Sequence, residues 1–111
     1  APFIAKRNGV YLLDEPENSL SPERQLELTR FLEDSARFFG CQFIIATHSP
    51  FLLAMKGAKL YDLDQDPVCE QDWFRLKNVR IYYDFFRARK NEFAETEEKK
   101  VNKNGKTEKS Y

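Results

Sequence analysis

Short apolar runs alternate along the chain with one long segment of mixed polarity. Val10-Tyr11-Leu12-Leu13, preceded by Gly9 and ending in Asp14-Glu15-Pro16, predicts a strand buried on both faces. Pro16 cannot donate to a ladder, so Glu17-Asn18-Ser19-Leu20 is expected to be a loop. Ser21 is placed as a helix N-cap with Pro22 at the first helical position. The helix then runs from Pro22 to about Phe39 and stops at Gly40. Its predicted inner stripe is Leu28, Phe31, Leu32, Ser35 and Phe39, with Leu26 flanking; Thr29, Arg30 and Glu33 fall off it. Cys41 to Ala46 predicts a second buried strand, followed by the turn Thr47-His48-Ser49-Pro50. Phe51 to Met55 reads as a helical turn capped by Ser49, and Lys59 to Asp64 as a third short strand. This order predicts an α/β fold with parallel strands and crossover helices.

Gln65 to Glu70 is turn-rich. Asn78 to Phe93 reads as an amphipathic helix, with Val79, Tyr82, Tyr83, Phe86 and Phe93 near one face and Arg80, Arg87, Arg89 and Lys90 near the other. That aromatic stripe suits core packing or a docking face. From Ala94 onward the residues are mostly polar, and a disordered tail is expected. The pattern divides the chain into 1–8 (the end of a preceding segment), 9–64 (α/β), 65–93 (turn and helix) and 94–111 (tail).

Charge and cysteine content narrow the partners. The chain has 18 basic and 18 acidic residues, so charge makes no case for an obligatory nucleic-acid or anionic-membrane partner. No apolar run approaches the roughly 20 residues of a membrane span. Cys41 and Cys69 are far apart and in no CxxC pattern, which suits reduced thiols in a cytoplasmic protein.

The chemistry concentrates at Asp14-Glu15. Ligands of open α/β sheets bind at the carboxyl ends of strands. Two adjacent carboxylates there are costly unless a cation or hydrogen-bond donors face them. On an extended chain the two side chains point to opposite sides, so one could serve a metal-bound water and the other a second target.

Tyr11-Leu12-Leu13-Asp14-Glu15-Pro16-Glu17 resembles the Walker B motif of ABC-type ATPases, and Asn18-Ser19-Leu20-Ser21-Pro22 sits where that family has its D-loop. The Leu-Ser-Pro form departs from the Ala-Leu-Asp of transporters and is closer to the RecF-like, SMC-like and OLD-like branch. Ala46-Thr47-His48-Ser49-Pro50 resembles the family's H-loop, and His48 is the chain's one histidine. The resemblance covers roughly Gly9 to Asp64 and implies a partial P-loop NTPase fold. It implies that Asp14 holds Mg²⁺ through a water, that Glu15 orients the attacking water, and that His48 meets the γ-phosphate of ATP. Asn18, Ser19, Leu20 and Ser21 would lie at an interface with a second ATPase unit, in a homodimer or oligomer. Nucleic acid could then be met through the intact protein.

The family's phosphate grip, GxxxxGK[ST], is absent. Gly105-Lys106-Thr107 is no substitute, because position 100 is Lys and no strand precedes it. The Q-loop and signature motif are absent too. The chain begins 13 residues before Asp14 and without Met, so the N-terminal half of the ATPase domain is expected to be a missing partner. The fragment alone is then expected to bind neither Mg²⁺ nor ATP. It would leave unpaired strand edges, inviting oligomerisation, local rearrangement or complementation in trans. Two other readings remain. Asp62-x-Asp64 superficially resembles the DxD of a Toprim-like, metal-dependent phosphoesterase or nuclease. A non-catalytic interaction module would use the aromatic helix instead.

Overall fold

Ser21 and Gly40 bound the longest element among the described residues, as their chemistry predicts. In the computed structural model, which describes residues 7–94, α1 spans Pro22–Phe39. The Ser21 hydroxyl accepts the Arg24 N–H at 3.2 Å, and Gly40 takes the left-handed conformation (φ 65°) that ends the helix. The buried positions are Thr29, Leu32 and Ser35, with Leu32 wholly inaccessible. Phe31 and Phe39, expected inside, are 38% and 46% exposed. Thr29, expected outside, is inside because its hydroxyl donates to the Gln25 carbonyl at 2.8 Å and so carries no unpaired polar group inward. Small inward residues also suit a helix that packs against both the strand Gln42–Ala46 and the short helix Pro50–Leu53.

On either side of α1 lie β1 (Val10–Asp14) and β2 (Gln42–Ala46). They pair in parallel, from Val10 opposite Gln42 to Asp14 opposite Ala46. Tyr11 and Phe43 face each other in that register with stacked rings 5.5 Å apart. A Cβ at Gly9 would lie 2.5 Å from the Tyr11 ring, so a larger residue there would displace that ring.

The expectation of burial on both faces is not met. Tyr11, Leu13, Phe43 and Ile45 are half-buried, while Val10, Leu12 and Ile44 on the other face are 65%, 76% and 57% exposed. The alternation is that of a sheet covered on one side only among the described residues.

The turn after β2 leads into α2 (Pro50–Leu53), capped by the Ser49 hydroxyl, which accepts the Leu52 N–H at 3.4 Å. The segment expected as a third parallel strand does otherwise. Only Tyr61–Asp62 is extended, as β3, and it pairs antiparallel with β4 (Cys69–Glu70) in a separate hairpin. Asp62 is the reason: its Oδ1 accepts the Asp64 N–H at 3.0 Å, folding the chain into a turn where the strand was to continue.

Contacts divide the chain into two units, meeting between Leu76 and Lys77. In the second, α3 spans Lys77–Ala88. Its aromatic residues Tyr82, Tyr83, Phe85 and Phe86 are each about half exposed (51–54%). Arg80 lies over Tyr83 at 5.1 Å and Arg89 over Phe85 at 5.5 Å, so arginines of the expected basic face reach one ring of the expected aromatic face and one outside it. Most of the expected polar tail, residues 95–111, and most of the 1–8 segment lie outside the described residues.

Leu32→Ala should destabilise the first unit by about 2–5 kcal/mol, and Ser21→Ala by about 1 kcal/mol. Urea denaturation followed by far-UV circular dichroism checks both. Equal costs for the two variants would contradict a core centred on Leu32.

Candidate functional site

Parallel pairing places the ends of β1 and β2 side by side. The ladder's last rung runs beyond the strands: the Glu15 N–H donates to the Ala46 carbonyl at 2.7 Å. Residues 15 and 48, far apart in sequence, are therefore brought together, and His48 Nδ1 lies 3.1 Å from Glu15 Oε1.

Glu15 does not continue the extended geometry expected of it. Its φ is 45°, in the left-handed region that costs a non-glycine residue on the order of 1 kcal/mol. The alternation of Asp14 and Glu15 across a strand consequently ends at Asp14. The turn is held by the Asn18 N–H, which donates to the Glu15 carbonyl at 3.1 Å. The Asn18 side-chain amide also reaches Glu15 Oε2, at 3.4 Å. Asp14 is exposed, and among the described residues its carboxylate has no hydrogen-bond or ion-pair partner.

The four loop residues singled out by sequence have distinct places. Asn18 braces Glu15. Ser19 adopts a left-handed φ of 66°. The Leu20 carbonyl accepts from the Gln25 side-chain amide at 3.0 Å. Ser21 caps α1.

Sequence reasoning passed over Glu17. Its Oε1 accepts the Thr47 hydroxyl at 2.7 Å and its Oε2 accepts the His48 backbone N–H at 3.1 Å. Partial burial acts to raise the Glu17 carboxyl pKa. The bonds from Thr47, from its own backbone and from the His48 N–H, with the nearby His48 charge, outweigh burial and hold it below its ordinary value. No local pattern singles out the third acid of Asp14-Glu15-Pro16-Glu17; only its partners 30 and 31 residues away do. Gln25, also unremarked in sequence, accepts the Ser49 hydroxyl at 2.7 Å.

Asp62, one half of the DxD, is buried, and its Oδ1 is engaged by the Asp64 N–H. Among the described residues no group of three or more His, Cys, Asp or Glu side chains is placed to hold a metal ion. An open cleft of about 520 Å³ between α2 and the β3–β4 hairpin is lined by Leu53, Met55, Leu60 and Trp73 among others. None of Asp14, Glu15 and His48 lines it. No helix among the described residues is long and apolar enough to cross a membrane.

A carboxyl depressed on folding stabilises the fold above its unfolded pKa and loses that contribution as pH falls through the folded value. Wild type should therefore lose stability between about pH 4.5, the ordinary value for Glu17, and the lower folded value. Glu17→Gln should flatten that part of the profile. Urea midpoints of the two proteins between about pH 3 and 7 decide it; parallel profiles would contradict the assignment.

A family described as "AAA domain, putative AbiEii toxin, Type IV TA system" matches residues 3–54, a little under half of the 111-residue chain. The match takes in β1, α1, β2 and α2, and with them Asp14, Glu15, Glu17 and His48. No curated protein and no solved structure matches the chain. Its α/β arrangement, with a parallel strand pair, is compatible with a partial P-loop fold. Over this segment the chain is similar to AAA-type, nucleotide-binding ATPase domains.

Proposed function

We propose that this chain is the C-terminal part of an ABC-type ATPase that, when intact, binds and hydrolyses Mg-ATP at a dimer interface. The observation that carries the reading is the 3.1 Å approach of His48 to Glu15 at the carboxyl end of a parallel strand pair, inside the segment similar to AAA domains. On this reading Tyr11–Glu17 carries the Walker B motif, Asn18–Ser21 the D-loop and Ala46–Pro50 the H-loop.

The roles follow from chemistry. Asp14 offers one exposed carboxylate without a partner among the described residues. A single carboxylate is too little for an all-protein cation site, but it suits Mg²⁺, which retains waters and takes its other ligands from phosphates. Bound there, Mg²⁺ would neutralise charge developing on the phosphates. Glu15 is the acceptor for the proton of an attacking water. The Nδ1 contact to Glu15 leaves His48 Nε2 as the nitrogen available to a γ-phosphate oxygen. With its side chain 73% exposed, the ring is accessible to a ligand.

No GxxxxGK[ST] occurs in the sequence, so the groups that would cradle the phosphates come from elsewhere. The proposed partner is the N-terminal half of the same ATPase domain. A second ATPase unit would meet Asn18, Ser19, Leu20 and Ser21. The Toprim-like reading draws no support from Asp62, which is occupied in its own turn.

Calorimetric titration of the 111-residue chain with Mg-ATP should show no binding; tight stoichiometric binding would overturn the assignment of a missing phosphate grip. In the intact ATPase, Glu15→Gln should slow hydrolysis by about 10²–10⁴-fold while ATP binding persists. Unchanged turnover in that variant would remove Glu15 from the mechanism.

A further inference from the structure

The Glu15–His48 contact cannot hold its own geometry. Its side chains are 41% and 73% exposed, and ion pairs in such surroundings contribute little. Something else must seat the histidine. We propose that Glu17 is a positioning residue: it straps the loop that follows β1 to the Thr47–His48 turn and thereby holds the His48 ring against Glu15. The proposal rests on the reading of Glu15 and His48 as the hydrolytic pair.

Each oxygen of the Glu17 carboxylate has its own donor on the opposite turn. Oε1 takes the Thr47 hydroxyl at 2.7 Å and Oε2 takes the His48 N–H at 3.1 Å. Hydrogen bonds to an ionised acceptor are stronger than neutral ones, and two at once fix orientation as well as distance. The Thr47 oxygen is engaged twice, since it also accepts the Ser49 N–H at 3.0 Å. At the Glu17 end the backbone is anchored by its carbonyl, which accepts the Leu20 N–H at 2.9 Å.

A second tie closes the strap. The Gln25 side chain donates to the Leu20 carbonyl at 3.0 Å and accepts the hydroxyl of Ser49, which is only 4% exposed. Both ends of the 17–20 loop are thus fastened to both ends of the 47–49 turn.

The test is nuclear magnetic resonance on the full chain without nucleotide, comparing wild type with Glu17→Ala. Two signals are read: the nuclear Overhauser effect between the His48 ring and the Glu15 side chain, and solvent exchange of the His48 amide. The alanine variant should lose the Overhauser contact and exchange about ten- to a hundredfold faster at His48, as expected for a lost bond to a charged acceptor. The Arg24 amide at the α1 cap should be unchanged. Wild-type values of both signals in the variant would overturn the proposal. If the alanine variant does not fold, Glu17→Gln decides, because glutamine is the same size but offers one acceptor oxygen for two donors. A weakened His48–Glu15 contact then supports the strap, and a contact of wild-type strength refutes it. Because no nucleotide is present, the result is independent of whether the intact protein hydrolyses ATP, which the Glu15→Gln kinetics decide separately.

Discussion

The site depends on the register of one parallel strand pair. Asp14 opposite Ala46 is the end of the ladder, and the extra rung from the Glu15 N–H to the Ala46 carbonyl extends it by one residue. A strand advances about 3.3 Å per residue, so a slip of one position would separate Glu15 and His48 by more than a hydrogen bond can span. The same slip would turn Tyr11 and Phe43 to opposite faces and undo their stacking. Aromatic packing at the start of the strands therefore protects the proposed site at their end.

The sheet that carries this register is minimal. Among the described residues it has two strands and one covered face, with Val10, Leu12 and Ile44 left exposed. Fully burying a side chain of this kind is worth about 1.5–3 kcal/mol. The unmet burial, together with the open strand edges, is the physical sense in which the proposed remainder of the ATPase would complete the domain. It also explains why small polar residues, Thr29 and Ser35, occupy the inner face of α1. Phe31 and Phe39 stay partly exposed beside them.

The surroundings of the Glu15–His48 pair show a division of labour. Of the reacting groups proposed here, Asp14 and His48 are exposed and Glu15 is half-buried. Their supports, Glu17, Gln25, Thr47 and Ser49, are partly or wholly buried and hydrogen-bonded to one another's loops. Buried polar groups left unpaired would be costly, and here each has found a partner in a neighbouring turn.

The sequence by itself determined the local elements and the identity of the candidate groups. Ser21-Pro22 and Gly40 state where α1 begins and ends, Ser49-Pro50 states the start of α2, and Asp14-Glu15 and His48 stand at strand ends where ligands meet α/β sheets. These features are encoded within a few residues, by caps, prolines and apolar runs. What only the tertiary structure decided depends on partners distant in sequence. The 59–64 segment folded back on β4 because Asp62 captured its own turn. Glu15 left the strand in a left-handed turn, and Glu17, one more exposed-looking acid in the sequence, became the link to Thr47 and His48. A carboxylate's role is set by the donors around it, and those donors arrive only when two strands separated by 27 residues, Glu15 to Cys41, come into register.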